Sequence, residues 1–275
     1  MVIVKLQGGL GNQMFQYATA KAIGSKSLYF DVDFLNANRV SDENFTKREL
    51  ELFIFENINL KITRRFLKYL IRKKLIFLSK SIYQSEKNEF INLKSNKSFS
   101  LYLDGYFQNE VYFADIREQL LHDFRFPELS ESNKIIADKI KADNNAVAVH
   151  IRRGDYLKPA ISAYHGILPL NYYEQAKSEI ENKVNHPTYY VFSDDIEWCK
   201  ANLSLIPATF VSNANSKNWE DMYLMHLCRH NIIANSSYSW WSAWLNRNPD
   251  KIVIAPKKWF VHNSTEIVPL GWIKL

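Results

Sequence analysis

Residues 146–156 read Ala146-Val147-Ala148-Val149-His150-Ile151-Arg152-Arg153-Gly154-Asp155-Tyr156. The apolar run at 146–149 predicts a short, fully buried strand of a parallel sheet. Side chains alternate between the two faces of a strand, so His150 and Arg152 share one side and Arg153 takes the other. Gly154 ends the strand and leaves the charged residues at its carboxyl end, which is where open α/β sheets bind ligands.

The charged residues of this stretch suit a phosphate-bearing ligand. Two adjacent guanidinium groups, an imidazole and a carboxylate stand together, and an arginine fork matches phosphate oxygens in pairs. A plainer interpretation stays open, in which Arg153 and Asp155 form a surface ion pair and His150 caps the strand.

Length, charge and cysteine content limit the class of protein to which the chain can belong. The chain has 275 residues, enough for one large domain or two of ordinary size, and its net charge of +6 favours an anionic partner such as a nucleotide, a nucleic acid or a membrane surface. Cys199 and Cys228 do not make a disulfide framework, and Val2-Ile3-Val4 is too short for a secretory signal, so a cytoplasmic location is expected. No apolar run reaches the roughly 20 residues of a membrane span.

A glycine-rich turn, Gln7-Gly8-Gly9-Leu10-Gly11-Asn12, follows a predicted strand at 1–6 and leads into a predicted helix at 13–23. This order suggests a nucleotide-binding fold, but Met14 stands where the dinucleotide fingerprint needs its third glycine. The turn therefore predicts only that the backbone closely approaches a ligand or another part of the chain, with the amides of Asn12 and Gln13 available for hydrogen bonds at a helix start.

Two stretches of the first half allow alternative interpretations. A strand predicted at 28–34 carries Asp31 and Asp33, which could hold a divalent metal against a sugar diphosphate or could be an ordinary strand-end pair. Residues 66–83 are basic and apolar and predict a helix. That helix lies either on an anionic membrane surface or against the domain core with a basic outer face.

The second half alternates strands and helices, which predicts a second parallel sheet. A break at Phe126-Pro127-Glu128 places the domain boundary so that the domains are 1–128 and 129–275. The predicted strands are 146–150, 188–192, 209–211, 231–234 and 251–255, and the predicted helices are 132–141, 169–184, 198–203, 219–230 and one from Trp240.

Three of these strands end in polar clusters, which are His150–Asp155, Ser193–Asp195 and Asn235–Ser239. Because the carboxyl ends of parallel strands meet at one edge of a sheet, the clusters predict one crevice. Hydroxyl groups before a helix start suit an anion. Asp195 could accept the ring N–H and amino group of guanine, or could instead cap the helix that follows it. Together the clusters predict a nucleoside-diphosphate site.

Four motifs, met in order along most of the chain, resemble those of the α-1,2-fucosyltransferase family, which is glycosyltransferase family 11. They are Gly8-Gly9-Leu10-Gly11-Asn12-Gln13-Met14-Phe15-Gln16-Tyr17, His150-Ile151-Arg152-Arg153-Gly154-Asp155-Tyr156, Phe192-Ser193-Asp194-Asp195 and Asn235-Ser236-Ser237-Tyr238-Ser239-Trp240-Trp241. The chain is similar to the bacterial members in particular, because an N-terminal membrane anchor is not expected.

The resemblance implies an α/β, GT-B-like fold in which two Rossmann-like domains with parallel sheets hold the active site in the cleft between them. The domain at 1–128 would lie on the acceptor side and the domain at 129–275 would bind the donor. The implied reaction transfers L-fucose from GDP-β-L-fucose to the 2-hydroxyl of a galactoside, with inversion and without a metal or other cofactor.

The family also implies the partners. Bacterial members build surface glycans such as O-antigens from the cytoplasmic side, so the expected acceptor is a galactose-containing glycan or a lipid-linked oligosaccharide. Nucleic acid is not expected as a partner, and peripheral contact with the inner membrane surface stays open.

By position, the resemblance implies that Arg152 binds the β-phosphate, that His150 lies against the nucleotide and that Asp195 reads guanine. The expected donor-binding residues are Asn12, Gln13, His150, Arg152, Ser193, Asp194, Asp195, Asn235, Ser236, Ser237, Tyr238 and Ser239, of which Asn12 and Gln13 would act from the other domain. The expected catalytic residues are Arg152, Asp155 and His150. Asp155 and His150 are the candidates for a general base, and catalysis without a dedicated base is the alternative.

Two rival functions stay open at this stage. The first is a glycosyltransferase of the same fold that uses another nucleotide sugar, such as GDP-mannose or a UDP-sugar. The second is a non-catalytic protein that binds an anionic ligand or a glycan.

Overall fold

A computed structural model describes residues 1–37, 40–42, 46–73, 79–84, 90–93, 100–205, 207–212, 217–262 and 266–275. The chain divides into two compact units. The first comprises Met1–Ser41, Lys47–Pro127 and Thr265–Ile267, and the second comprises Asp42–Thr46, Glu128–Ser264 and Val268–Leu275. The main division between Pro127 and Glu128 lies one residue before the boundary expected from the sequence.

The first unit contains a parallel sheet covered by helices. Its strands are β1 (Val2–Lys5), β2 (Leu28–Asp31), β3 (Ser79–Tyr83) and β4 (Ser100–Asp104), in the order β2-β1-β4-β3. Its described helices are α1 (Leu10–Ala22), α2 (Arg65–Arg72) and α3 (Arg117–Asp123), with 3-10 turns at Leu52–Ile54, Glu110–Tyr112 and Ala114–Ile116. The inner strand β1 buries Val2, Ile3 and Val4, as its apolar sequence requires.

The second unit contains a longer parallel sheet. Its strands are β5 (Ala146–Ile151), β6 (Thr188–Ser193), β7 (Ala208–Val211), β8 (His230–Ile232), β9 (Val253–Ala255) and β10 (Ile273–Lys274), in the order β10-β9-β8-β5-β6-β7. Its described helices are α4 (Glu131–Ala142), α5 (Pro159–His165), α6 (Leu170–Glu181), α7 (Ile196–Asn202), α8 (Asn218–Leu227) and α9 (Ser237–Leu245). This is the strand order of a doubly wound fold, and the order reverses between β5 and β8.

The predicted α/β class with two parallel sheets is confirmed. The single helix predicted at 66–83 is wrong, because α2 ends at Arg72 and Ser79–Tyr83 forms the edge strand β3 beside β4. Residues 74–78 of that prediction lie outside the described residues. Over the described chain, no helix has the length and apolar character that a bilayer crossing requires.

Helix α9 is apolar on every side and is buried accordingly. Trp240 and Trp241 lie with their ring centroids 5.1 Å apart, Trp244 is 5.1 Å from Trp241, and Trp272 from the C-terminal strand region is 5.5 Å from Trp240. Such aromatic packing fixes the helix, and so it also fixes the position of the helix N-terminus at the carboxyl end of β8.

A buried carboxylate joins α4 to α8. Glu220 is almost fully buried and accepts hydrogen bonds from the backbone N–H of Ser130 at 3.1 Å, from the Ser130 hydroxyl at 2.8 Å and from the amide of Asn133. Burial, and then the nearby charge of Glu220, raise the pKa of Asp221 to about 6. Asp221 therefore keeps its proton in the folded protein at a pH where the unfolded chain has lost it.

Asp221→Asn is expected to stabilise the protein near neutral pH. A raised carboxyl pKa means that the folded state binds more protons than the unfolded chain. The free energy of unfolding therefore falls as the pH rises from about 4, the unfolded pKa, to about 6, and this loss of stability is complete above pH 6. The gain should be about 1–3 kcal/mol near neutral pH and should shrink towards pH 4. Urea unfolding at both pH values measures it, and an equal gain at both would contradict the assignment.

Candidate active site

The three predicted polar clusters lie at one edge of the second sheet. Residues of β5 and β6 pair in register as His150 with Phe192 and Ile151 with Ser193, and on the other side Val149 pairs with Ile232 of β8. All these strands run parallel, so their carboxyl ends meet where the strand order reverses. A doubly wound sheet opens its ligand crevice at such a point.

Arg152 is held between two carboxylates. Its Nη2 lies 2.5 Å from Oδ1 of Asp155, and its Nη1 lies 2.8 Å from Oδ2 of Asp194. The side chain remains 24% exposed, so the guanidinium is fixed in orientation without being sealed from ligand. A planar fork held in this way can present its remaining N–H groups to phosphate oxygens.

Arg153 makes different contacts. Its Nε donates to Oδ2 of Asp195 at 3.1 Å, and its guanidinium carbon lies 3.9 Å from the centroid of the Trp198 ring. The surface pair of Arg153 with Asp155 that the plainer interpretation offered is therefore wrong, because Asp155 pairs with Arg152 instead. The two adjacent arginines thus bind separate carboxylates.

The turn after β5 fits tightly against Asp194. The backbone N–H of Arg153 donates to Oδ1 of Asp194 at 2.8 Å. A Cβ added to Gly154 would lie 2.4 Å from Oδ2 of the same carboxylate. Glycine is required at 154 because any side chain would displace the carboxylate that orients Arg152.

Asp195 caps α7. Its Oδ1 accepts from the backbone N–H of Trp198 at 3.3 Å, while its own N–H donates to the hydroxyl of Ser193 at 3.0 Å. The capping interpretation is therefore confirmed. With Oδ2 bonded to Arg153, both carboxylate oxygens have protein partners, and the reading of guanine by Asp195 stays a prediction.

His150 is a neutral imidazole in this site. Burial, and then the charge of Arg152, lower its pKa to about 3. Its ring lies 5.8 Å from the ring of Tyr238, and its Nδ1 is buried with no hydrogen-bond partner among the described residues. A group with this pKa cannot take a proton efficiently near neutral pH, so His150 fits ligand contact better than base catalysis.

The residues from Asn235 to Ser239 form the start of α9, which begins at Ser237, three residues before the predicted start. Asn235 donates to the carbonyl of His165 at 2.7 Å, and the hydroxyl of Ser236 caps the helix by accepting from the N–H of Tyr238 at 3.3 Å. Ser239 is fully buried and donates to the carbonyl of Ala234 at 3.4 Å. Among the serines of this stretch, only Ser237 is more than marginally exposed.

Tyr238 is partly buried and is anchored to α8. Its hydroxyl accepts from the backbone N–H of Met222 at 2.8 Å and donates to the carbonyl of Asn218. The ring therefore has a fixed position at the start of α9, beside His150.

His165 belongs to this cluster, although nothing in the sequence around it indicates a functional residue. Its ring stacks on Tyr156 with centroids 4.8 Å apart and lies 4.9 Å from Tyr164. Burial lowers its pKa to about 4, with a raising effect from Asp155 and a lowering effect from Arg152. A lone histidine before Gly166, whose φ is +72°, carried no pattern beyond that of a helix end.

In the first unit, the amide of Gln13 is used entirely by the chain. Gln13 is fully buried, its Nε2 donates to the carbonyls of Gly8 at 2.9 Å and Glu49 at 2.7 Å, and its Oε1 accepts from the N–H of Glu51. The carboxylate of Glu51 in turn accepts from the N–H of Leu10 at 2.8 Å, at the start of α1.

Asn12 is partly exposed, and its side chain packs against Gly8 of the glycine-rich turn. Its Oδ1 accepts from the amide of Gln108 at 2.7 Å, and a Cβ at Gly8, whose φ is +77°, would lie 2.4 Å from its Nδ2. Of the two amides predicted at this helix start, Asn12 is the one that keeps exposed surface.

Lys68 lies between the carboxylates that the metal interpretation used. Its ammonium is 2.7 Å from Oδ1 of Asp31 and also contacts Asp33, while the hydroxyl of Tyr102 donates to Oδ2 of Asp31 at 2.8 Å. The pair therefore has a structural explanation. Within the described part of the chain, no group of three or more His, Cys, Asp or Glu side chains could hold a metal ion.

The sequence model of Glycosyl transferase family 11 matches residues 1–274. The chain belongs to glycosyltransferase family 11. This membership makes the protein a glycosyltransferase, and it argues against the non-catalytic rival.

Two relatives of this family 11 chain match over nearly their whole length. The O-antigen biosynthesis glycosyltransferase WbnK of Escherichia coli is 34% identical, with 98% of this chain and 99% of that protein covered. An alpha-1,2-colitosyltransferase of Escherichia coli is 33% identical, with 100% and 99% covered. The human galactoside alpha-(1,2)-fucosyltransferase 1 is 28% identical over 53% of this chain and 43% of its own.

A solved structure also aligns with the family 11 chain. The fucosyltransferase NodZ from Bradyrhizobium aligns over 88% of this chain and 91% of its own, with a TM-score of 0.47 at 13% identity. That similarity is too weak to support any further conclusion.

Proposed function

We propose that this family 11 enzyme transfers L-fucose from GDP-β-L-fucose to the 2-hydroxyl of a galactoside, with inversion, in the synthesis of a bacterial surface glycan such as an O-antigen. The observation that carries the proposal is Arg152, a guanidinium oriented by Asp155 and Asp194 at the carboxyl end of β5. The names of WbnK and of the alpha-1,2-transferring relatives support the glycan and the linkage.

The second unit is proposed as the donor domain. Arg152 and the start of α9 lie at neighbouring strand ends, so a diphosphate bound there would meet a guanidinium fork and the positive end of a helix. Negative charge grows on the β-phosphate as the sugar–oxygen bond breaks, and preorganised donors stabilise such charge without reorienting. Of the expected donor residues, Arg152, His150, Ser236 and Ser237 are the ones whose position suits direct contact.

We infer that assistance to the leaving group, rather than a strong base, carries the catalysis. The carboxylate of Asp155 is already bound to Arg152 at 2.5 Å, which makes Asp155 a positioning residue. Burial lowers the pKa of His150 to about 3 and that of His165 to about 4. A general base works best with a pKa near the working pH, and neither imidazole meets that condition.

A second donor is supported by the colitosyltransferase relative, which matches along the whole chain. Colitose is L-fucose without the 3-hydroxyl, so its GDP derivative would use the same diphosphate and guanine contacts. The two donors would differ only in what faces carbon 3 of the sugar. A site that hydrogen-bonds the 3-hydroxyl would reject colitose strongly, whereas an apolar contact would discriminate weakly.

A donor panel tests the proposal. The full chain is incubated with a β-galactoside acceptor in EDTA and given GDP-L-fucose, GDP-colitose, GDP-mannose or a UDP-sugar, and the product is identified by mass spectrometry and by the anomeric NMR signals. We expect an α-1,2-linked fucosyl product without added metal. Transfer only from a UDP-sugar, or only after Mn²⁺ is added, would contradict it.

A binding measurement separates donor recognition from acceptor choice. GDP binds the folded protein if the site is as proposed, so it should raise the melting temperature, whereas UDP and ADP should not. A GDP shift with no transfer would mean that the acceptor is wrong, whereas a UDP shift would mean that the nucleotide is wrong.

A further inference from the structure

The positive charge of the protein is concentrated in one segment. Residues 57–85, here called the basic segment, contain eight lysines and arginines and no aspartate or glutamate. Subtracting these eight charges from the net charge of +6 leaves the rest of the chain at −2. A field of this kind, on one stretch of an otherwise slightly acidic chain, favours an anionic partner at that stretch.

Helix α2, within the basic segment, buries apolar side chains on its inner face and also exposes aromatic side chains on its outer face. Its inner face packs Leu67 and Ile71 against Ile3 and Tyr102 of the sheet, and it also buries the ammonium of Lys68 against Asp31. These contacts anchor the helix to the first unit. They leave the aromatic residues of the helix on the opposite side.

The outer face of α2 exposes aromatic rings beside basic groups. Phe66 is 71% exposed and Tyr69 is 53% exposed. Lys61, Arg64 and Lys73, just before and after these rings, are also exposed. Exposed single apolar residues are ordinary, but two aromatic rings one turn apart with basic side chains on either side suit a helix that lies in a bilayer interface.

We propose that α2 docks this protein on the surface of an anionic bilayer. Phe66 and Tyr69 enter the headgroup region, and Lys61, Arg64 and Lys73 pair with lipid phosphates. The ring of Tyr69 favours that depth because its body is apolar and its hydroxyl is polar, and Phe66 adds apolar area. Each basic side chain near an anionic surface adds attraction that salt weakens. The proposal goes beyond the transfer reaction and does not depend on which sugar is transferred.

Flotation with vesicles tests the proposal. The full chain is mixed with vesicles of phosphatidylcholine alone, or of equimolar phosphatidylcholine and phosphatidylglycerol, at low and high salt. We expect it to float with the anionic vesicles at low salt and to stay unbound with the neutral ones. Phe66→Gln combined with Tyr69→Gln should reduce the vesicle-bound fraction by about tenfold, and Lys61→Gln combined with Arg64→Gln should do the same.

A matched control shows that the effect belongs to this face. Phe53 is 68% exposed in the same unit but lies outside the basic segment, and Phe53→Gln should float like the unmodified protein. All variants should keep the melting temperature and the transfer to a water-soluble galactoside. If the unmodified protein floats with anionic vesicles but transfers no sugar, only the transfer proposal fails, so the two failures are distinguishable.

Several outcomes would overturn the docking proposal. The first is no flotation of the unmodified protein with anionic vesicles. The second is undiminished flotation of the Phe66 and Tyr69 double variant. The third is that this double variant loses oligonucleotide binding or self-association while its vesicle binding is unchanged. The third result would assign the face to a nucleic acid if oligonucleotide binding is lost, or to a second copy of the chain if self-association is lost.

Discussion

Arg152→Lys is expected to lower kcat for sugar transfer by about 100- to 1,000-fold with little change in the fold. Lysine keeps the positive charge between Asp155 and Asp194 but loses the planar fork that those carboxylates hold at 2.5 and 2.8 Å. A compact ammonium cannot satisfy two carboxylates and two phosphate oxygens in one plane. Steady-state kinetics with saturating donor, together with the urea unfolding midpoint, measure both parts of the expectation.

Arg153→Lys is the matched control for this experiment. Arg153 is adjacent in sequence, and its guanidinium binds Asp195 and stacks on Trp198. Its replacement should cost about tenfold or less in kcat, because Arg153 is bound to Asp195 and Trp198 and is not among the proposed phosphate contacts. If Arg152→Lys retained activity within about tenfold of the unmodified enzyme, or if Arg153→Lys proved the more damaging change, the assignment of Arg152 would be lost.

Lys68→Met is expected to destabilise the first unit by about 3–5 kcal/mol. The change leaves Asp31, which is 4% exposed, without the ammonium that neutralises it. Burial alone would raise the pKa of Asp31, but hydrogen bonds from Lys68, from the backbone of Asp33 and from Tyr102 outweigh burial and lower it. Urea unfolding followed by far-ultraviolet circular dichroism should show the loss.

The pH dependence of the Lys68 effect has a definite sign. A lowered carboxyl pKa contributes stability above the unfolded pKa of about 4, and that stability is lost as the pH falls through the folded value. In Lys68→Met the carboxyl of Asp31 can be protonated instead, so the difference between variant and unmodified protein should shrink in acid.

Two variants control for the Lys68 result. Lys134→Met, which removes exposed ion pairs with Glu128 and Glu131, should have no measurable effect. Lys68→Met combined with Asp31→Asn should recover part of the loss, because it removes the unpaired charge. A loss in the double variant as large as in Lys68→Met would show that packing, and not charge, dominates.

Local sequence predicted five of the six described strands of the second sheet, because their signals are local, and missed only the two-residue edge strand β10. The apolar run at 146–149 is short and half valine, which favours a strand buried on both faces, and the charged residues after it then fall at its carboxyl end. The edge strand β3 was not predicted, because its sequence lacks such a local signal. Ser79–Tyr83 is partly exposed, carries a lysine and follows a helix of similar composition, so hydrophobic period could not separate the two elements.

Contacts with residues far apart in sequence determine which of the predicted site residues still have a hydrogen-bonding group available to a ligand. Gln13 has a suitable amide at a helix start, but Glu49 and Glu51 return more than 30 residues later and use it completely. By its spacing in the sequence, Asp155 could pair with either arginine. Asp194 and Asp195, which follow the next strand, bind Arg152 and Arg153 respectively and so hold the two side chains in different orientations. Such choices depend on tertiary packing that no window of sequence contains.

The aromatic packing of α9 has a practical consequence for following unfolding. All seven tryptophans of the chain, from Trp198 to Trp272, fall in the second unit. Trp240, Trp241, Trp244 and Trp272 each have a ring centroid within 6.2 Å of that of another tryptophan. Indole emission therefore reports on the second unit alone, because the first unit, which carries α2 and Lys68, contains no tryptophan. Melting curves recorded by fluorescence and by circular dichroism coincide only if the two halves lose their structure together.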